Sequence, residues 1–156
     1  MKRTPSGFTL IELVVVILVG SILVGVAISS FQNAQAGYAA RNGRVMYETL
    51  HQLARARSIE MGQTMRLIVD ASGDSAYILH IDSTVTDVTH FRDELGVDVV
   101  SNPSRFLICM TPRGYADPDC PALPDTAISI PVFLRFKQAG DSSVVVILPM
   151  GQLLEL

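Results

Sequence analysis

Between Glu12 and Arg41 the chain carries no charged side chain, and from Phe8 to Phe31 it is almost wholly apolar or small. At ~1.5 Å per residue, about 20 helical residues cross the ~30 Å hydrocarbon core of a bilayer, so residues 8–31 suffice for one membrane-spanning helix. Lys2 and Arg3 precede the stretch, and the positive-inside tendency puts them and the N-terminus in the cytoplasm. Everything after about Phe31 then lies beyond the inner membrane. The span accounts for a mean hydropathy of +0.37 over 156 residues and leaves room for one further modest core.

Residues 1–7 are short and basic and end in glycine. In an ordinary secretory signal the apolar stretch precedes the cleavage site and is removed with it. Here the apolar stretch follows the candidate site, so a cut after Gly7 leaves the helix on the mature protein. The helical pattern continues amphipathically over residues 32–62, with Gly62 as its terminator. Ala39, Gly43, Met46, Leu50, Leu53, Ala54 and Met61 share one face, opposite Arg41, Arg44, Glu48 and Arg55. Arg57 falls on the apolar face and is expected to snorkel or to find an acidic partner.

After Gly62 the pattern changes to strands over 64–69, 76–81, 97–100, 105–110, 128–136, 143–148 and 152–154. Asp70, Ser72, Gly73 and Asp74 make the first pair a β-hairpin. Pro131 argues that its strand lies at an edge or carries a bulge. Residues 85–95 mix strand and helix preferences and read as loop. Residues 112–124 hold four prolines and read as a surface loop. Cys109 and Cys120, the two cysteines of the chain, flank that loop in an oxidising compartment and predict a structural disulfide.

Gly7-Phe8-Thr9-Leu10-Ile11-Glu12-Leu13, at the head of an apolar helix, resembles the type IV prepilin signature. An ionised carboxylate inside a membrane helix costs ~3 kcal/mol or more, so Glu12 demands a partner. The resemblance implies one: the N-terminal amine of a neighbouring subunit, created when prepilin peptidase cuts between Gly7 and Phe8. It also implies N-methylation of Phe8 and a part for Thr9 and Glu12 in assembly. Ser21, Gly25 and Ser29 recur every four residues, a small-residue stripe that lets helices approach closely in lipid.

A second resemblance is to the GspH/FimT branch of these proteins. It rests on Leu53-Ala54-Arg55-Ala56-Arg57-Ser58, then Gly62 and Met65-Arg66-Leu67-Ile68-Val69, with Thr111-Pro112-Arg113-Gly114 and Leu148-Pro149-Met150-Gly151-Gln152 further on. It implies an α+β fold: a long N-terminal transmembrane and amphipathic helix packed on a small antiparallel β domain of two short sheets. The organisation is then a leader at 1–7, a membrane and filament-core helix at 8–31, its amphipathic continuation at 32–62 and a periplasmic β-rich domain at 63–156. The implied role is a structural subunit, minor rather than major, of a type IV pilus or a type II secretion pseudopilus. Its implied partners are other subunits, the peptidase, an inner-membrane assembly platform and membrane lipid. The competing role is a membrane-anchored periplasmic adaptor that never polymerises.

From Arg41 onward ten Arg or Lys stand against fourteen Asp or Glu, which disfavours a nucleic-acid surface. His51, His80 and His90 lack metal-ligand spacing and read as helix-surface or strand residues. Asp117, Asp119 and Asp125 read as surface turn acids rather than a calcium site. No G-x-S-x-G elbow or phosphate-binding glycine loop occurs, and Cys109 and Cys120 are too widely spaced for a C-x-x-C redox pair. Neither an enzyme nor a cofactor is expected.

Overall fold

The computed structural model describes residues 9–121, 123–127 and 131–156. Helix α1 spans Leu10–Met61 and ends as expected: Gly62 takes a left-handed backbone (φ 64°) and the Gln63 N–H donates to the Ser58 carbonyl. Two compact units divide the chain, one up to Gln35 and one from Ala36.

Among its described residues the second unit holds nine strands. β1 (Met65–Asp70), β2 (Ser75–Leu79), β3 (Val85–His90), β5 (Arg105–Met110) and β6 (Ala116–Asp117) form sheet A in the order β3-β2-β1-β5-β6. β4 (Asp98–Ser101), β7 (Val132–Gln138), β8 (Asp141–Ile147) and β9 (Leu153–Glu155) form sheet B in the order β4-β7-β8-β9. All named strand pairs are antiparallel. The expected α+β architecture of one long helix and two small sheets is present.

One core joins the helix and both sheets, with Tyr47 and Leu50 from α1, Leu67 and Phe106 from sheet A, and Leu134 and Phe136 from sheet B. The buried stripe of α1 runs through Ala36, Ala40, Gly43, Tyr47, Leu50, His51, Ala54 and Ser58. It is rotated from the expected face: Ala39, Met46 and Leu53 sit at its margin, and Met61 is exposed. Small residues decide the orientation. A Cβ on Gly43 would stand 3.2 Å from the Phe136 ring and 3.3 Å from Val97, so the sheet approaches where the helix is thinnest.

A second core lies on the other side of sheet A, where Ile68, Leu107 and Cys109 pack with Cys120, Tyr77, Leu79 and Leu123. The proline-bearing segment after β6 is therefore a cover for this face. It returns to the sheet at Ala127, whose N–H donates to the Arg105 carbonyl and whose carbonyl accepts from the Leu107 N–H.

Several local expectations are corrected. Residues 85–95 are not loop but β3 followed by the one-turn helix α2 (Phe91–Leu95). A register shift in β3, with Asp87 at φ 51°, breaks the two-residue alternation that would have marked a strand. Residues 112–124 contain the short β6, which pairs Asp117 with Cys109. β7 begins at Val132, and Pro131 lies one residue before a strand internal to its sheet, so the missing N–H costs no ladder bond. Residues 128–130 of the expected strand lie outside the described residues.

The two glycine turns singled out in the sequence are alike. The Gly114 N–H donates to the Thr111 carbonyl and the Gly151 N–H to the Leu148 carbonyl, each at 2.8 Å. They also meet across the sheets, through Ala116 N–H to the Met150 carbonyl at 3.2 Å. Gly151 has φ 75°, and a Cβ there would stand 2.8 Å from that of Ala116, so only glycine fits the seam.

Candidate assembly site

The helix opens at its own cap. Thr9 precedes the first helical residue and its Oγ1 accepts the Glu12 N–H at 3.3 Å. Thr9-x-x-Glu12 has capping-box spacing, a signal present in the sequence but not read from it. Glu12 also sits in the first turn, where the helix dipole favours a carboxylate. Gly7 and Phe8, the expected cleavage pair, lie outside the described residues.

Beyond Glu12 the helix has no packing partner among the described residues of its own unit. Every large apolar side chain from Leu10 to Phe31 is exposed, and the most apolar 18-residue window, of mean hydropathy 2.8, is entirely unburied. In water that exposure is untenable, since each such side chain forgoes about 1.5–3 kcal/mol of burial. The length and composition suit a bilayer.

Along the small-residue stripe, Ser21 Oγ donates to the Leu18 carbonyl at 2.8 Å and Ser29 Oγ to the Gly25 carbonyl at 3.3 Å. Both hydroxyls are satisfied within the helix and leave its surface free of unpaired donors. A Cβ on Gly25 would meet nothing within 4 Å. Glycine costs about 1 kcal/mol relative to alanine inside a helix, and no described residue packs closely against Gly25 to offset it.

In the globular unit Cys109 and Cys120 are bonded, with Cα atoms 6.1 Å apart, as their spacing predicted. Arg57 finds its acidic partner: the guanidinium donates to the Asp87 carboxylate and, at 3.1 Å, to Thr86 Oγ1. Asp74, read as a turn residue, is buried instead. Its carboxylate accepts the Val99 N–H at 2.6 Å and pairs with Arg92 at 2.8 Å, so the β1–β2 turn is tied to sheet B through α2 and β4.

His51 is a further correction, because it lies in the core and not on the helix surface. Neither ring nitrogen has a hydrogen-bond partner among the described residues. Burial, assisted by the nearby Arg55 charge, lowers its pKa to about 4. Burial likewise pushes the Tyr47 hydroxyl up. Among the described residues no group of three or more His, Cys, Asp or Glu is placed to hold a metal ion.

The family model described as the prokaryotic N-terminal methylation motif matches residues 2–28. No curated protein matches the chain. Among solved structures, the minor pseudopilin EpsH from the type 2 secretion system of Vibrio cholerae aligns with a TM-score of 0.50 over 76% of this chain and 95% of that one, at 15% identity. The fold is pilin-like. The motif match stops within the apolar part of the helix, and beyond residue 28 the likeness is one of fold.

Proposed function

We propose that the pilin-like chain is a structural subunit of a type IV pilus-like or type II secretion pseudopilus filament. Prepilin peptidase cuts it between Gly7 and Phe8 and methylates Phe8. The helix then holds it in the inner membrane with the β domain in the periplasm, and later packs it among the helices of other subunits at the assembly platform. The observation that carries this reading is Glu12, a carboxylate without an ion-pair partner among the described residues, five residues past Gly7 at the head of an apolar stretch whose large side chains are all exposed. The amine created at Phe8 supplies the missing charge. Likeness in fold to a minor pseudopilin supports a minor place in the filament, and the two sequence stretches around Arg55 and Gly151 support the GspH/FimT branch.

The capping spacing of Thr9 and Glu12 favours one rival account, in which Glu12 serves only to start the helix of a plain anchor. Glutamine separates the two, since it serves a capping box as glutamate does but cannot neutralise an amine. Glu12→Gln should insert and be processed normally yet enter filaments poorly in a co-assembly assay. Incorporation equal to wild type would refute the charge pairing. Gly7→Val tests the processing step: intact mass from native membranes should show a start at Phe8 for wild type and an uncut precursor for the variant.

A further inference from the structure

The globular unit holds a cavity of about 590 Å³, within the ~300–1,000 Å³ of small-molecule sites. Gly37, Arg41 and Arg44 of α1 line it together with Asp141, Ser142 and Glu155 of sheet B. Two of its four charged groups satisfy each other, because Arg44 reaches Glu155 at 2.9 Å and, more loosely, Glu48 at 3.5 Å. Arg41 and Asp141 are different. Both line the cavity, yet neither forms an ion pair among the described residues, with the other or with any third group.

The fold holds Asp141 in place. It closes the two-residue β7–β8 hairpin, where Ala139 and Gly140 take left-handed backbones (φ 46° and 95°) and Gln138 pairs across the turn. A Cβ on Gly37 would stand 3.0 Å from Asp141 Oδ2, so the helix is thin where the carboxylate lies against it. Arg44, three residues from Arg41, keeps a buried Nε without a hydrogen-bond partner among the described residues.

A cation and an anion held apart in one polar cavity suit a ligand that carries both charges. A purely anionic ligand would face Asp141, and a purely cationic one Arg41. Such ligands lie near in sequence terms. Gly37 comes six residues after Phe31, the end of the apolar stretch, which is ~9 Å of helix, and the interfacial layer adds about 5–7 Å to each side of a bilayer's hydrocarbon core. Tyr38 is 67% exposed, an amphipathic ring of the kind favoured at that level, and the arginine stem extends the reach of its guanidinium.

We propose that the cavity binds the headgroup of an ethanolamine phospholipid, its phosphate on Arg41 and its ammonium on Asp141. The inference rests on the membrane part of the proposed function and not on filament assembly. The contact must be released before the chain leaves the bilayer.

The test is native mass spectrometry of the full-length chain from micelles doped equally with phosphatidylethanolamine, phosphatidylglycerol and phosphatidylcholine of matched tails. Phosphatidylethanolamine adducts should exceed the others at least about fivefold, since the glycerol headgroup lacks the cation and the choline nitrogen has no N–H to donate. Arg41→Gln and Asp141→Asn should each abolish the preference and leave the urea midpoint at its wild-type value, because neither group has an ion-pair partner to lose. A carbodiimide, which joins a primary amine to a carboxylate in contact, should couple the lipid amine of the wild-type complex to Asp141 ahead of Asp93 and Asp98. Equal retention of the three lipids, a preference that survives in both variants, or coupling spread evenly over surface carboxylates would overturn the proposal. Glycerophosphoethanolamine, the same headgroup without tails, should displace the lipid only in large excess; displacement at equal concentration would assign the site to a soluble zwitterion and overturn the lipid as its source. Carbonate extraction of native membranes separates this failure from that of the membrane reading: a chain retained without lipid preference removes the site alone, whereas an extracted chain removes the anchor.

Discussion

His51→Leu is the perturbation whose effect can be worked most directly from the fold. The imidazole is 1% exposed, its ring centroid lies 6.1 Å from that of Tyr47, and its pKa is lowered from 6.5 to about 4 by burial and by Arg55. The folded state therefore keeps the ring neutral while the unfolded chain takes up a proton as pH falls through 6.5. Stability from this group is fully present above pH 6.5, declines as pH falls and is lost below about 4. With ~1.36 kcal/mol per pKa unit, the loss reaches about 2.5 kcal/mol at pH 4.5 and about 3 kcal/mol in full. Leucine fills a similar apolar space without unpaired ring nitrogens, so the variant should be at least as stable at pH 7 and should lack this pH dependence. The assay is urea unfolding of the full chain in detergent micelles, followed by near-ultraviolet circular dichroism of its tyrosines, since the chain has no tryptophan. Asp70, whose pKa is lowered chiefly by the Ser72 hydroxyl, titrates alike in both proteins and cancels in the comparison. Equal stability losses in wild type and variant between pH 7 and 4.5 would show that His51 is already solvated in the fold.

Two further outcomes concern the ties within the globular unit. Cys109→Ser with Cys120→Ser, or reduction, should cost about 2–4 kcal/mol in urea unfolding and make the cover over sheet A protease-sensitive, while α1 keeps its far-ultraviolet signal. Resistance of that segment to proteolysis after reduction would mean that the apolar contacts of Leu123 and its neighbours hold it unaided. Asp74→Ala leaves the buried Val99 N–H without its acceptor and Arg92 with Asp98 as its one remaining carboxylate among the described residues, and should lower stability by about 1–3 kcal/mol. A change within about 0.5 kcal/mol, as for an ordinary surface turn, would show that the tie between turn and sheet B carries no energy.

The parts legible in the sequence are those written in local chemistry. Charge-free length marks the apolar half of α1, Gly62 marks its end, and Asp70 to Asp74 mark the β1–β2 hairpin. The cysteine spacing marks a bond that the fold indeed makes. What stayed hidden depends on packing between distant segments. The buried face of α1 follows small residues because Phe136 and Val97 crowd Gly43, and no residue in the helix announces that neighbour. β3 was obscured by its bulge at Asp87, and α2 is one turn long, too short for periodicity to register. The proline-bearing segment looked like solvent-facing loop because its covering role depends on Ile68 and Leu107, which point away from the main core. Asp74 resembled any turn acid until β4 arrived beside it.

The N-terminal half of α1 sets a physical condition on any assembly it enters. Lipid tails cover Leu10 to Phe31 as well as neighbouring helices would, so leaving the bilayer for a filament gains little from hydrophobicity alone. The transfer needs terms that lipid does not supply. On the proposed reading, close approach along Ser21, Gly25 and Ser29 would be one, because the serine hydroxyls are already satisfied and the glycine adds no bulk. The proposed charge pair at Glu12 would be the other, directional where packing is not. On this reasoning Glu12→Gln changes the balance between membrane and filament without changing insertion, since the apolar span is untouched and glutamine is easier to bury than an ionised carboxylate. The variant should accumulate in the membrane, cut and folded. Depletion from the membrane would place the role of Glu12 in insertion and remove the argument for assembly.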